Sequence, residues 1–293
     1  MTAFFVPEGR LLHTQENQTA GASRHGLMTA MERGTILEGM ALLCDSEHDL
    51  VVRVGEFTGL IPRREAALGI AEGTTREIAI LSRVGKPICF TIDAMEGSSL
   101  LLSRRHAQEM ALQSMLTQWK PGTVIPATIT HLEPFGAFVD IGCGIPSMLS
   151  LEQISVSRIP HPRYRFTSGQ EIFAMVTEID PELERISLSH KALLGTWEEN
   201  ASLFASGMTV PGIVRGIKPY GVFVELTPNL SGLAEPYPGL LENERVSVYL
   251  KAILPDRHKI KLLIIDQLPP DPVPAPLHYF HTQGVLTHWS YTP

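Results

Sequence analysis

Residues 121–141 read PGTVIPATITHLEPFGAFVDI, and residues 206–226 read SGMTVPGIVRGIKPYGVFVEL. At a constant offset of 85 positions, Pro126 falls on Pro211, Pro134 on Pro219, Phe135 on Tyr220, Gly136 on Gly221 and Phe138 on Phe223. Such a match marks an internal repeat, which governs every later reading of the chain. Apolar residues recur at alternate positions, Ile125, Ala127 and Ile129 in one copy and Val210, Gly212 and Val214 in the other. That is strand period. Gly136 and Gly221 lie between two such runs, where a hairpin or bulge favours a residue free to take positive φ.

The back halves match too. Residues 172–189 (IFAMVTEIDPELERISLS) and 246–263 (VSVYLKAILPDRHKIKLL) each read as strand, polar turn, strand. Each copy therefore offers five short strands, the count of a small barrel of the oligonucleotide/oligosaccharide-binding (OB) kind. A weaker copy precedes them. Residues 34–54 carry two strand-like runs, GLIP at 59–62 takes the place of SMLS at 147–150, and KPICFTID followed by LLLS gives a final pair ending at Ser103. This copy has no aromatic-glycine-x-aromatic segment, and an insertion over about residues 67–86 looks helical or irregular.

Two segments between copies have helical stripes: residues 104–116, with Ala107, Met110, Ala111 and Met115, and residues 190–204, with Leu193, Trp197, Ala201 and Phe204. Both read as struts between barrels. Ser189 is the expected N-cap of the second, and Arg104 and Arg105 are expected in solvent. The expected organisation is an N-terminal extension over 1–31, a degenerate barrel over 32–105, a linker helix over 106–119 and a second barrel over 120–190. A linker helix over 191–205, a third barrel over 206–267 and a proline-rich, aromatic tail over 268–293 complete it. Residues 268–276 are expected as extended polyproline. The fold class is mainly β, three tandem five-stranded OB barrels joined by short helices.

Composition narrows the function. Of 293 residues 44 % are apolar and 19 % charged, enough apolar material for packed cores. The 24 Lys and Arg against 31 Asp and Glu, net −7, exclude a polycation that coats nucleic acid or membrane through bulk charge. Cys44, Cys89 and Cys143 are scattered and never spaced as Cys-x-x-Cys, so neither a disulfide framework nor a cysteine zinc site is indicated. Met1 to Asn17 has no charged-then-apolar signal pattern, and no apolar run approaches the ~20 residues of a membrane helix. The expectation is a soluble cytoplasmic protein with no membrane partner.

At Phe135-Gly-Ala-Phe138, repeated as Tyr220-Gly-Val-Phe223, and at Arg185-Ile-Ser-Leu-Ser189 downstream, the pattern resembles the S1 RNA-binding domain family. Three such units in tandem look like a small bacterial relative of ribosomal protein S1 of the small subunit. The resemblance covers about residues 32–267 and is strongest in the second and third copies. It implies five-stranded barrels that bind single-stranded RNA across one face, and it puts the stacking aromatics on Phe135 and Phe138, and on Tyr220 and Phe223. It places a polar strand-turn pair on Asp180 and Arg185, with Leu254 and Lys259 in the equivalent places. The histidine common in the family's third strand is replaced by Pro62, Ser150 and Glu235 in turn, and an anion at Glu235 repels phosphate.

The residues themselves support this chemistry. An aromatic ring on a strand offers a flat partner to any unpaired base, worth about 1–3 kcal/mol per stack. Phe135 and Phe138 reach one face only if the glycine turn kinks the chain, since strict alternation puts them on opposite faces. Phe138 and Phe223 therefore remain open to a core reading, whereas Phe135 and Tyr220, beside the turn, read as surface. The loop SRIPHPRYRF interleaves Arg158, Arg163, Tyr164 and Arg165 with no acid, as phosphate contact or simply as a solvated loop. In the third copy Arg215, Lys218 and Lys259 are candidates to ring the aromatics. Neither copy is basic as a whole: residues 120–197 hold six Lys and Arg against eight Asp and Glu.

Glycine-rich phosphate loops, a His-Glu-x-x-His helix and a nucleophile elbow are absent from the sequence, and the Cys44-to-Asp49 cluster reads as a solvated turn. The expectation is a non-enzymatic protein with no cofactor, no metal and no small-molecule substrate. It would bind single-stranded RNA near the translation machinery, with the ribosome or its proteins as further partners. The alternatives are a protein-interaction scaffold with weak RNA affinity and an accessory factor in RNA turnover.

Overall fold

In the computed structural model, which describes residues 5–97, 99–270 and 277–291, the repeat resolves into three five-stranded units. Two helices, α1 (Gln15–Gly21) and α2 (Arg24–Arg33), precede them. The first unit comprises β1 (Leu37–Cys44), β2 (Leu50–Val54), β3 (Phe57–Ile61), β4 (Pro87–Glu96) and β5 (Ser99–Ser103), with a short α3 (Ile78–Leu81) in the insertion. Helix α4 (Arg104–Gln118) leads to β6 (Val124–Glu133), β7 (Gly136–Asp140), β8 (Pro146–Ser150), β9 (Glu171–Asp180) and β10 (Arg185–Ser189). After α5 (Trp197–Ala201) come β11 (Thr209–Lys218), β12 (Gly221–Thr227), β13 (Leu230–Ala234), β14 (Arg245–Leu254) and β15 (Lys259–Leu268).

The strand order is the same in each unit. In the first it is β1-β2-β3-β5-β4, closed by a parallel pair in which Leu60 stands opposite Leu101; in the third, Leu233 stands opposite Lys261. The middle unit has the same order, but β8 and β10 meet through the Ser147 hydroxyl, which donates to the Ile186 carbonyl at 2.7 Å, in place of a backbone ladder. Alternation explains the interior. Ile125, Ala127 and Ile129 of β6, Ala137 and Val139 of β7 and Ile172, Ala174 and Val176 of β9 all point inward and are buried. Each long first strand also carries an irregularity at the same place, between Ala41 and Leu43, Ile129 and His131, and Val214 and Gly216. A bulge bends its strand and helps such a short sheet curl.

The junction of the first two barrels is more than a strut. Ala107, Ala111 and Met115 of α4 join the core of the middle barrel, and Cys89 of the first barrel belongs to that same core. Contrary to the expectation of a solvated helix start, Arg104 is buried. Its guanidinium donates to both carboxylate oxygens of Glu8, at 2.7 and 2.9 Å. Glu8 lies on an N-terminal strap: Cys143 N–H donates to Val6 O, Glu8 N–H to Asp140 Oδ2, and Gly9, Leu11 and Leu12 N–H to the buried Glu38. Burial pushes Glu8 up, but the Arg104 and Arg83 guanidiniums overcome it and hold the carboxyl below its ordinary value. Burial, with the Glu8 carboxylate alongside, pushes Asp140 up to about 7.

The second strut departs from expectation. Residues 191–194 form a single 3-10 turn, Gly195 takes φ 83°, and only Trp197–Ala201 is helical. Its cap is Thr196, in a reciprocal box with Glu199, rather than Ser189. The break serves packing: Asn200 Nδ2 and Asn229 Nδ2 donate to the carbonyls freed at Leu194 and Gly195. The C-terminal segment folds back on the barrels. Tyr279 hydroxyl meets His190 Nε2 at 2.9 Å, Leu286 N–H donates to Gly122 O, and Trp197 N–H donates to Tyr291 O. Burial drives His190 down to about 4, which keeps the ring neutral so that Nδ1–H donates to Ile154 O. The expected polyproline lies mostly outside the described residues. Among the described residues, no helix is long and apolar enough to cross a membrane.

Removing the guanidinium in Arg104→Ala leaves a buried carboxylate without its main cation, and denaturant unfolding should show a loss of about 3–5 kcal/mol. Asp140 gives a second test. An unfolded chain releases this proton near pH 4 and the folded chain near 7, so the stabilisation is complete below about pH 4, falls as pH rises and is gone above 7. Thermal melts of Asp140→Asn should therefore gain on the parent as pH is taken from 5 to 8; a difference that stays flat with pH contradicts this assignment.

Candidate nucleic-acid interface

The two aromatic pairs stand at the same place on the second and third barrels. On β7, inward Ala137 and Val139 alternate with outward Phe138, so the register itself sends that ring outside. Phe135 precedes the strand, in the β6–β7 turn, where alternation does not apply. It is 57 % exposed and meets Phe138 edge-to-face at 6.1 Å between centroids. The third barrel repeats this: Tyr220 is 66 % exposed, Phe223 36 %, and their centroids are 6.3 Å apart at 88°. Neither pair places a ring in the core.

Of the two glycines between the runs, Gly221 takes the positive φ expected of it, at 157°. Gly136 has no positive φ, and a Cβ there would lie 2.5 Å from Leu149 O. At Gly221 a Cβ would lie 2.5 Å from Ala234 O. Both glycines let the neighbouring strand's backbone come close beside the aromatics.

Across the sheet each outer ring belongs to a row. His131, Phe138 and Met148 stand opposite one another in the second barrel, and Gly216, Phe223, Leu233 and Lys261 in the third. His131, Met148, Leu233 and Lys261 were not singled out in the sequence. The period-two spacing of Lys261 from Lys259 on one strand was the available signal. The first barrel fills the same row with Leu43, Val51, Leu60 and Leu101, an aliphatic strip with no ring to stack on. Its turn histidine, His48, is bonded to Glu77 at 3.1 Å.

The remaining predicted residues divide. Asp180 and Arg185 stand opposite each other at the end of the β9–β10 hairpin, as do Leu254 and Lys259. Asp180 Oδ1 accepts from Glu182 and Leu183 N–H, fixing the turn, while Arg185 and Lys259 reach into solvent. Arg158, Arg163 and Lys218 are also exposed. Arg165 is not available: its side chain is 5 % exposed, and with Arg215 it clasps Glu225 at 2.6 and 2.7 Å. Burial and the Arg215 charge lower the Arg165 pKa, and its Nε has no acceptor among the described residues. Tyr164 stacks loosely against Arg215, 6.0 Å from guanidinium to ring centroid. Glu235, expected to repel phosphate, is met by Lys251 at 2.8 Å, which also lowers its pKa.

Residues 118–191 match the S1 RNA binding domain family. The middle barrel is an S1 domain. The chain resembles ribosomal protein bS1: the Leuconostoc lactis protein is 33 % identical over 175 residues, 58 % of this chain and 40 % of that protein. The Neisseria meningitidis bS1 is 26 % identical over 261 residues, 87 % of this chain and 45 % of its own. The chain thus spans less than half the length of these relatives. Among solved structures, a multidomain protein with nucleic acid binding domains from Streptococcus pneumoniae aligns with 79 % of this chain and 73 % of its own, at 15 % identity and a TM-score of 0.27, too low to add to the fold assignment.

A methyl group at position 136 must push the Leu149 carbonyl away. Gly136→Ala should therefore lower stability by about 1–3 kcal/mol in thermal or denaturant unfolding.

Proposed function

We propose that the chain is a non-enzymatic binder of single-stranded RNA, acting in the cytoplasm in translation, with bases stacked on Phe135 and Phe138 and on Tyr220 and Phe223. The observation that carries this reading is two edge-to-face aromatic pairs held outward at equivalent places on two barrels. Phe135 and Tyr220 are more than half exposed, which leaves ring surface open to a base, and base–aromatic stacking is tolerant of sequence because every base has a π-face. Exposed cations on the strands of the same two barrels, Arg185, Lys218, Lys259 and Lys261, are suited to phosphates rather than to reading base edges. The match to the S1 RNA binding domain family and the resemblance to a ribosomal protein favour RNA as the ligand and the ribosome as the setting.

One observation favours a second role confined to the first barrel. Its row of Leu43, Val51, Leu60 and Leu101 offers apolar contact without stacking, which suits a protein partner such as a ribosomal protein. An accessory role in RNA turnover has no comparable feature behind it.

Phe135→Ala and Tyr220→Ala should each weaken binding of fluorescent oligouridylate by about 1–3 kcal/mol, while Leu60→Ala leaves it unchanged. The logarithm of the binding constant should fall with that of salt by about 0.7 per phosphate contacted. Unchanged affinity in both aromatic variants removes the stacking reading, and cleavage of the oligonucleotide by the purified chain overturns the non-enzymatic one.

A further inference from the structure

A cleft of about 650 Å³ opens between the second and third barrels. That size lies within the range of about 300–1,000 Å³ that encloses small organic ligands. The third barrel lines it with Gly216, Lys218 and Phe223, so the cleft is continuous with the outer ring of the proposed stacking site. The second barrel lines it with Val156, Ser157 and Arg158, from the loop that follows β8.

That loop is bolted to the third barrel. Ser157 N–H donates to Pro228 O at 3.0 Å, and Val156 N–H to Asn229 Oδ1 at 3.1 Å. The Ser157 and Ser231 hydroxyls meet at 2.9 Å. The Arg165–Glu225–Arg215 cluster fixes its other end, and Asn229 itself is buried and donates to Lys191 O and Gly195 O. These bonds leave little freedom for Arg158 to move relative to Phe223.

The charges favour an anion. Arg158 and Lys218 are exposed with no ion-pair partner among the described residues. Arg215, which also lines the cleft, shares one carboxylate with the buried Arg165, which leaves the cluster a net positive charge. Against these stands Glu242; His258 is bonded to Glu198 at 2.7 Å. An aromatic ring beside two unneutralised cations suits a strand that alternates flat bases with phosphates better than it suits an acidic peptide.

We propose that the third barrel's RNA site is composite: a base lying on Phe223 carries the adjoining phosphates between Lys218 of the same barrel and Arg158 of the second. This rests on the stacking reading above and adds that the site is complete only where the two barrels are docked.

The test uses the full chain in a Phe135→Ala/Phe138→Ala background, so that remaining binding of a short fluorescent oligouridylate reports the third barrel. Arg158→Ala should weaken that binding about tenfold, equivalent to 1.4 kcal/mol, and flatten the salt slope by about 0.7. Arg76→Ala, an exposed arginine in the insertion of the first unit and outside the cleft lining, should do neither. Unchanged binding in Arg158→Ala together with a loss in Phe223→Ala overturns the composite site and leaves stacking intact. Insensitivity to both, or a background with no residual binding, overturns the third-barrel stacking reading and the composite site with it. Displacement of the RNA by polyglutamate at equal charge concentration also overturns it, because the cleft would then take any anion.

Discussion

Strand alternation around a packed five-stranded barrel decides where Phe138 and Phe223 go. The middle barrel's inward positions hold Ala127, Ala137 and Ala174 among Ile125, Ile129 and Val139, and the third barrel's hold Val214, Val222, Val224, Val246 and Val248. Phe138 lies between buried Ala137 and Val139 on its strand, and Phe223 between buried Val222 and Val224, so alternation turns both rings outward. Phe138 and Phe223 consequently occupy outward positions, and the close strand approach at Gly136 and Gly221 sets the turn from which Phe135 and Tyr220 project. The outward aromatic surface thus follows from the strand register. The first barrel follows the same alternation, with Phe90 in its core and leucine and valine in the outward row.

A second constraint joins the barrels. At each junction a carboxylate from one segment is buried against guanidiniums from others: Glu8 with Arg104 and Arg83, Glu225 with Arg165 and Arg215. Such clusters bring little net stability over apolar packing, yet leaving one partner alone is costly, so they favour one docked arrangement over others. That selectivity matters more for function than their energy does. In the proposed reading, RNA strung across two barrels meets its contacts in order only if the barrels keep a fixed relation.

The repeat, the strand count and the surface position of Phe135 and Tyr220 were legible because they are local: a glycine between two rings and apolar residues at every second place are visible in a short window. What the sequence hid was long-range. Arg104 looks like an ordinary surface residue at a helix start until Glu8, 96 positions away, is folded onto it. Arg165 sits in a basic, acid-free loop and reads as a phosphate contact, but its acid partner lies 60 positions downstream. The helical stripe at 190–204 misled because Leu193 and Trp197 are buried against different neighbours on either side of Gly195, which periodicity cannot distinguish from one continuous face. The tail's aromatics could not be placed without knowing that His190 needs a buried hydrogen-bond donor, which Tyr279 supplies.

Nuclear magnetic resonance of the full chain titrated with oligouridylate tests the central claim most directly. Stacking predicts that the ring protons of Phe135, Phe138, Tyr220 and Phe223 shift together with upfield movement of the uracil base protons, as each nucleobase enters the ring current of an aromatic side chain. Shifts confined to exposed arginine and lysine side chains, with the base protons unmoved, would mean that the strand is held by its phosphates alone and would contradict the account.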